Sequence, residues 1–286
     1  KGMQMRGTTG YFDNDLANIS YARKLNDAWR LMLRAAADSR DFNAQNFYTS
    51  FVSDTAREKV SSTWQQLALT RTSEKSTFSI MANARQLKDI YAFRPVSIPN
   101  QNSTKLFNAD MRHTVRLKWQ QAKFTSGMQV FNKQITSNDR GNHKHLHTGI
   151  YANLQHQLLN KLFVTEGIRA DWDQSYKWSL IPQLNLAYTG SIATIRASIS
   201  KGIRDADFTE RYNNYNKPLV TGGSIGNPAL EAERSFNMEM GADLFLDKPV
   251  QVHATLFQRN QASLIDWATT AYANMPIRNN LVPTGI

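Results

Sequence analysis

Cysteine is absent from all 286 residues. That single absence excludes a disulfide framework, a thiolate nucleophile and a thiolate metal site, and it removes the usual redox clue to compartment. Long apolar runs are also missing. The best charge-free candidate, Trp178 to Ile195 ("WSLIPQLNLAYTGSIATI"), contains Pro182, Gln183, Asn185 and a Thr189-Gly190 turn signal. A membrane-crossing helix needs about 20 mostly apolar residues, so this stretch reads as two strands and a tight turn. Three-four spacing of apolar residues, the mark of an amphipathic helix, does not recur along the chain. Nor is there a Ser-His-Asp set, a phosphate loop or a metal-hydrolase helix, so no catalytic residue is expected. No secretory leader opens the sequence, which starts at Lys1 in mid-pattern.

What is present is basic. The formal net charge is +11. Its Lys and Arg residues are dispersed among Asn, Gln and Asp rather than gathered in a block, and no groove-reading motif accompanies them. The charge therefore reads as a wet face and loops, and no nucleic-acid partner is expected.

The dominant pattern has a period of two. In "SFNMEMGADLFL", Phe236, Met238, Met240, Ala242, Leu244 and Leu246 share one parity, while Asn237, Glu239, Gly241 and Asp243 share the other. Such alternation predicts a strand with one oily and one wet face. It recurs at Trp29–Leu31–Leu33–Ala35–Ala37, Phe78–Ile80–Ala82–Ala84, Val115–Leu117–Trp119, Ile150–Ala152–Leu154, Leu180–Leu184–Leu186 and Val250–Val252–Ala254–Leu256. Residues 60 to 70 fit least well, because Trp64 and the pair Leu67 and Leu69 split parity. The runs predict about twelve strands of roughly 11 to 16 residues. A tilted membrane-spanning strand needs about 9 to 11 residues. The expected class is all-β.

The connections carry separate information. Tight ones are expected at 25–27, 73–76, 121–122, 160–161, 189–191 and 247–248. Long ones are expected at 42–56, 93–104, 137–146, 205–232 and 268–280, with a short member, 173–176, holding its place in the order. Tight and long alternate strictly. An antiparallel up-and-down transmembrane β-barrel with all its long loops at one end has that layout. Aromatic girdles would then use Tyr21, Trp29, Trp119, Trp172, Trp178, Tyr188 and Trp267, all within a few residues of a turn or loop.

The segment "GNPALEAERSFNMEMGADLF" is similar to the "GNPxLxPExSxxxExG" segment of TonB-dependent outer-membrane receptors, with Ala232 where that family usually has proline. "VQVHATLFQRNQASLIDW" resembles the family's strand ending in "xxDxIxW", and "MPIRNNLVPTGI" resembles the loop and strand start that follow. "FNAQNFYTSFVSDTAREKV" and "SNDRGNH" resemble a receptor branch common in Bacteroidetes. The resemblance implies a 22-stranded barrel around an N-terminal plug. Residues 1–286 would then be a barrel segment of about twelve strands, without the plug or the terminal strands. It also implies the outer membrane of a Gram-negative bacterium as location, with surrounding lipid as a partner. It implies uptake of a scarce nutrient (siderophore-iron, haem, cobalamin or an oligosaccharide), energised by TonB, ExbB and ExbD through the plug, with no bond made or broken. Two rivals remain on the residues alone. One is a free-standing twelve-stranded outer-membrane barrel enzyme, a phospholipase or protease. The other is a soluble all-β binding protein.

Two stretches are candidates for ligand contact. "NHKHLH" puts His143, His145 and His147 on one parity of an extended segment, about 6.6 to 7 Å apart in sequence order. Imidazoles so placed suit a shared metal or an iron porphyrin; the alternative is a histidine-rich polar outer loop. No adjacent carboxylate completes a metal site, so none is expected, and no resident cofactor is expected either. In "RDADFTERYNNY", Arg211, Tyr212 and Tyr215 suit capture of a bulky anionic ligand such as a ferric chelate. Arg204, Asp205, Asp207 and Glu210 read as a salt-bridged loop scaffold. For "GNP", the local physics predicts a turn that ends the 205–232 loop and sets the parity of the next strand.

Overall fold

The computed structural model describes residues 4–5, 8–45, 47, 55–220, 223–247, 250–275 and 280–281. Twelve long strands follow one another: β1 Phe12–Lys24, β2 Trp29–Asn43, β3 Arg57–Thr72, β4 Ser76–Ala92, β5 Asn100–Arg116 and β6 Lys123–Ser137, then β7 Gly141–Leu158, β8 Leu162–Asp173, β9 Lys177–Thr189, β10 Ala193–Arg204, β11 Glu233–Asp247 and β12 Val250–Ala262. Each pairs antiparallel with its sequence neighbours in a single 12-stranded sheet. A separate small pair, Gln4–Met5 with Thr8–Thr9, precedes them. Among the described residues the sheet is open. β1 pairs only with β2, and β12 only with β11, so these two strands do not close a twelve-stranded barrel on each other.

Register carries the alternation across the sheet. Tyr21 lies opposite Leu33, Leu33 opposite Leu67 and Leu67 opposite Ala82. Farther along, Leu186 lies opposite Ala197, Ala197 opposite Met240 and Met240 opposite Leu256. Directly paired residues share a face, so these chains trace one continuous oily surface. The opposite face is polar, with pairs such as Asp38–Ser62, Gln66–Asn83 and Asn102–Asp89 hydrogen-bonded across strands.

Burial is inverted relative to a globular protein. The largest fully buried side chains are Asp139 and Asp173, while Ile19 is 70% exposed and Leu180 55%. In water a sheet with that outer surface would be unstable; in lipid the exposed leucines are in their proper solvent. Aromatics gather at both strand ends of the oily face. Trp29 begins β2 and Tyr188 nearly ends β9, and at the other end Trp172 of β8 lies directly opposite Trp178 of β9.

Two expectations are corrected. Residues 137–146 do not form a long loop. β6 runs through Ser137 and β7 restarts at Gly141, so the connection is the tight turn 138–140. The Ser137 hydroxyl accepts from the amides of Asp139 and Arg140, and Gly141 takes φ +88°, which lets the chain reverse at once. The polar "NHKHLH" run is strand because only one of its faces has to be oily. The connection at 93–104 also shortens, since β5 begins at Asn100.

The split parity at 60 to 70 is real. Gln65, Leu67 and Leu69 lie on the oily face, and Trp64 pairs with Ala36 and Arg85 on the polar one. The loop 205–232 has the expected bounds, between Arg204 and Glu233. Parts of the connections expected at 42–56, 247–248 and 268–280 lie outside the described residues.

Candidate functional site

The polar face is most elaborate where β6 and β8 end and β7 begins, beneath the 205–232 loop. That loop is ordered by its own chemistry. Asp207 caps the helical turn α1 (Phe208–Tyr212): its carboxylate accepts from the amides of Thr209 and Glu210, and Glu210 reaches back to the Asp207 amide. A reciprocal cap of this kind satisfies donors that a helix start leaves open. Arg204 then clamps the two ends of the loop, donating to both oxygens of Glu233 at 2.7 and 2.8 Å and to Glu210 at 3.0 Å. This is the salt-bridged scaffold read from the sequence.

The GNP turn docks on that scaffold. Gly226 donates to the carbonyl of Asn213 at 3.0 Å, and Asn227 donates to that of Glu210 at 2.9 Å. A Cβ on Gly226 would lie 2.5 Å from the backbone of Arg211 and Tyr212, so only glycine permits the approach. The Pro228 carbonyl accepts from Arg211 Nη1 at 2.8 Å. The turn thus ends the loop by locking it onto α1.

Arg211 is engaged within the loop and also lines the cavity beside His145 and Tyr176. Its side chain is buried, with Nη2 donating to Asp205 Oδ1 at 2.6 Å. Tyr212 lies flat on His143, with ring centroids 3.5 Å apart and planes 5° apart, and Tyr215 meets Tyr212 edge-on at 5.8 Å. His143 Nε2 sits 2.7 Å from the Arg140 carbonyl oxygen, so it donates there. Lys133 stands over the Phe208 ring at 4.6 Å. The structure thus brings His143, Tyr212 and Tyr215 together, with Arg211 held by Asp205 and Pro228.

His145 and His147 belong to a second cluster one pleat deeper. His145 Nε2 is 2.8 Å from Asp173 Oδ2 and 3.7 Å from Asp205 Oδ2. His147 Nδ1 is 3.1 Å from the same Asp173 oxygen, and its Nε2 is 3.2 Å from Arg169 Nη2. Arginine can only donate, so Nε2 accepts, and the Nδ1 hydrogen of His147 goes to Asp173. Arg169 also pairs with Asp171 at 2.6 Å. Tyr176 approaches His147 Nδ1 at 3.3 Å. Burial pushes the Tyr176 phenol well above its usual range, and Asp173, Asp171 and Asp205 add to the effect. The Ser175 hydroxyl donates to Asp205 Oδ2 at 3.1 Å.

Asp173, Asp205 and Tyr176 were not singled out as ligand contacts in the sequence. They stand 26 and more positions from the histidines they meet, and only the hairpin register that sets Asp173 against His147 could have pointed to the first of them. Two cavities flank the cluster. One of 610 Å³ is lined by His145, Tyr176, Phe208, Tyr212 and Lys144; one of 250 Å³ by Lys133, His145, His147, Asp173 and Asp205.

Residues 3–283 match the family described as TonB dependent receptor-like, beta-barrel. The chain belongs to that family. The polar face is accordingly the lumenal wall of a receptor barrel, and the oily face its outside. Similar solved structures include the siderophore receptor PirA from Pseudomonas aeruginosa, with TM-score 0.73 at 15% identity over 87% of this chain and 46% of that one. A mutant ferric enterobactin receptor (PfeA) from Pseudomonas aeruginosa gives 0.74 at 13% identity over 88% and 43%. A double mutant of the Serratia marcescens hemophore receptor HasR, in complex with its hemophore HasA and heme, gives 0.68 at 14% identity over 88% and 45%. At such identities the likeness shows the fold. The chain spans less than half the length of these structures. No curated protein matches the sequence.

Proposed function

We propose that this chain is part of the wall of an outer-membrane receptor that captures a bulky anionic iron complex, a ferric siderophore, for uptake driven by TonB. The observation that carries the reading is the aromatic and basic shelf of His143, Phe208, Tyr212, Tyr215 and Lys133 on the lumenal wall under an ordered outer loop. The Lys133 ammonium suits the negative charge of such a complex and the aromatic side chains its ring and apolar surface, and neither forms nor breaks a bond in it. Haem is the second reading, favoured by the histidines. It is weaker because His143 Nε2 is committed to the Arg140 carbonyl and His147 is held between Asp173 and Arg169. Cobalamin and oligosaccharide receptors share the same wall plan.

On this reading residues 1–286 are one stretch of a 22-stranded barrel. The plug, the strands that complete the wall and the TonB, ExbB and ExbD contacts are supplied by the rest of the receptor. The wall's share of the work is geometric and electrostatic: a polar lumen and a loop that covers the ligand. The test is cell-surface binding of a panel of ferric siderophores, haem and cobalamin to the receptor and to a Tyr212→Ala/Tyr215→Ala variant. Capture of a ferric siderophore that the variant loses, at equal surface abundance, supports the reading. Capture of haem or cobalamin instead, or equal capture by the variant, overturns it.

A further inference from the structure

We propose that His145, Asp173 and Asp205 form a binding site for a divalent first-row transition ion that fastens the 205–232 loop to the barrel wall. One ligand atom from each residue lies within 4.8 Å of the other two. The three come from different elements: His145 from β7, Asp173 from the end of β8 and Asp205 from the loop itself. An imidazole nitrogen with two carboxylate oxygens suits zinc, cobalt or nickel better than calcium or magnesium, which prefer oxygen alone.

The second layer of contacts is already arranged for a metal. Each carboxylate turns one oxygen toward His145, where Asp173 Oδ2 also accepts from His147 and Asp205 Oδ2 from the Ser175 hydroxyl at 3.1 Å, and each has its other oxygen tied down. Asp173 Oδ1 accepts from the Ser175 amide at 2.8 Å, and Asp205 Oδ1 accepts from Arg211 at 2.6 Å. Asp173 Oδ2 and Asp205 Oδ2 then converge on His145 Nε2 at 2.8 and 3.7 Å. Tetrahedral ligands at ordinary zinc distances stand about 3.3 Å from one another, and the two distances from His145 bracket that value. Outer contacts that fix carboxylate orientation are a regular feature of metal sites. An ion at this point would replace the hydrogen on His145 Nε2, which moves to Nδ1. It would also place a positive charge among Asp171, Asp173 and Asp205, beside the 250 Å³ cavity, which leaves room for a fourth ligand such as water.

The consequence is a metal-dependent latch. With the ion bound, the loop is tied to the wall by a coordinate bond from Asp205, while the Arg211 pair holds Asp205 within the loop. This inference does not rest on which nutrient the receptor carries, because it is read on the isolated protein in detergent. The probe is Co²⁺, followed by its visible absorption and displaced by Zn²⁺, with limited proteolysis of residues 205–232 as a second readout. One Co²⁺ per chain is expected, with loss of that binding in His145→Gln, Asp173→Asn and Asp205→Asn. His253→Gln, on β12 and outside the site, should bind as the parent does. Zn²⁺ should slow loop cleavage in the parent and leave Asp205→Asn unchanged. Native folding of each variant is checked by its heat-modifiable mobility on gels. Folded variants that bind Co²⁺ as the parent does, or a folded parent that binds none, overturn the proposal. So does Zn²⁺ protection that persists in Asp205→Asn.

Discussion

The imidazole of His143 and the phenol of Tyr212 stack face to face, 3.5 Å between centroids and 5° between planes, joining strand β7 to the helical turn in the 205–232 loop. The contact covers one face of each ring, apolar surface that truncation to alanine would uncover. Tyr212→Ala should therefore raise the rate of loop cleavage several-fold, while Tyr212→Phe keeps it near the parent's. A double-mutant cycle with His143→Ala checks the coupling. Additive effects of the two substitutions would mean that the rings do not support each other.

Arg211 gives a larger effect. Removing it leaves the Asp205 carboxylate and the Pro228 carbonyl without their buried donor, a loss of about 3 kcal/mol for one partner of a buried pair. Arg211→Ala should free the loop, as seen by proteolysis. Arg211→Lys should not restore it, because one ammonium cannot serve two acceptors in the geometry of a guanidinium fork.

Gly226→Ala should resemble Arg211→Ala although it removes no polar contact. The added methyl would meet the backbone between Arg211 and Asn213, so the turn must lift off α1. Combining the two substitutions should cost little more than either one, since both undo the same dock. Full additivity in the same proteolysis assay would separate them.

Tyr176 supplies a pH signature. Its folded-state phenol titrates above its unfolded value, because burial and three nearby carboxylates oppose the phenolate. The stability it contributes is whole below about pH 10 and falls as pH rises past that value, where only the unfolded chain ionises readily. Chemical unfolding of the parent should therefore become easier between neutral pH and strongly alkaline pH. Tyr176→Phe should reduce that dependence; an identical slope in both proteins would contradict the assignment.

Much of the fold was legible because a barrel wall writes its two solvents into alternate residues. Met238, Met240 and Leu244 against Glu239 and Asp243 need no tertiary information, and the 205–232 loop stands out for lack of that rhythm. The "NHKHLH" strand was misread because a lumenal face rich in histidine has the composition of a loop. Trp64 broke parity because the lumenal wall accepts an aromatic residue there. The pairing of His145 with Asp173 and Asp205 was invisible, since it depends on hairpin register and on where a long loop folds back. The partners of Arg211 were hidden for the same reason: Asp205 and Pro228 meet only in the folded loop.

The central claim is that odd and even positions face lipid and lumen in alternation. A charge tests it coarsely: Leu67→Arg should cost about 2–4 kcal/mol near mid-membrane and reduce insertion, while Gln66→Arg should be tolerated. Cysteine scanning tests it directly, because the chain has no cysteine of its own. Single cysteines are placed at each position from Asn237 to Leu244 in the receptor in outer membranes, and labelled with a water-soluble maleimide. Labelling at Asn237, Glu239, Gly241 and Asp243, with protection by lipid at Met238, Met240, Ala242 and Leu244, is the predicted result. Uniform labelling, or the reverse alternation, would contradict it.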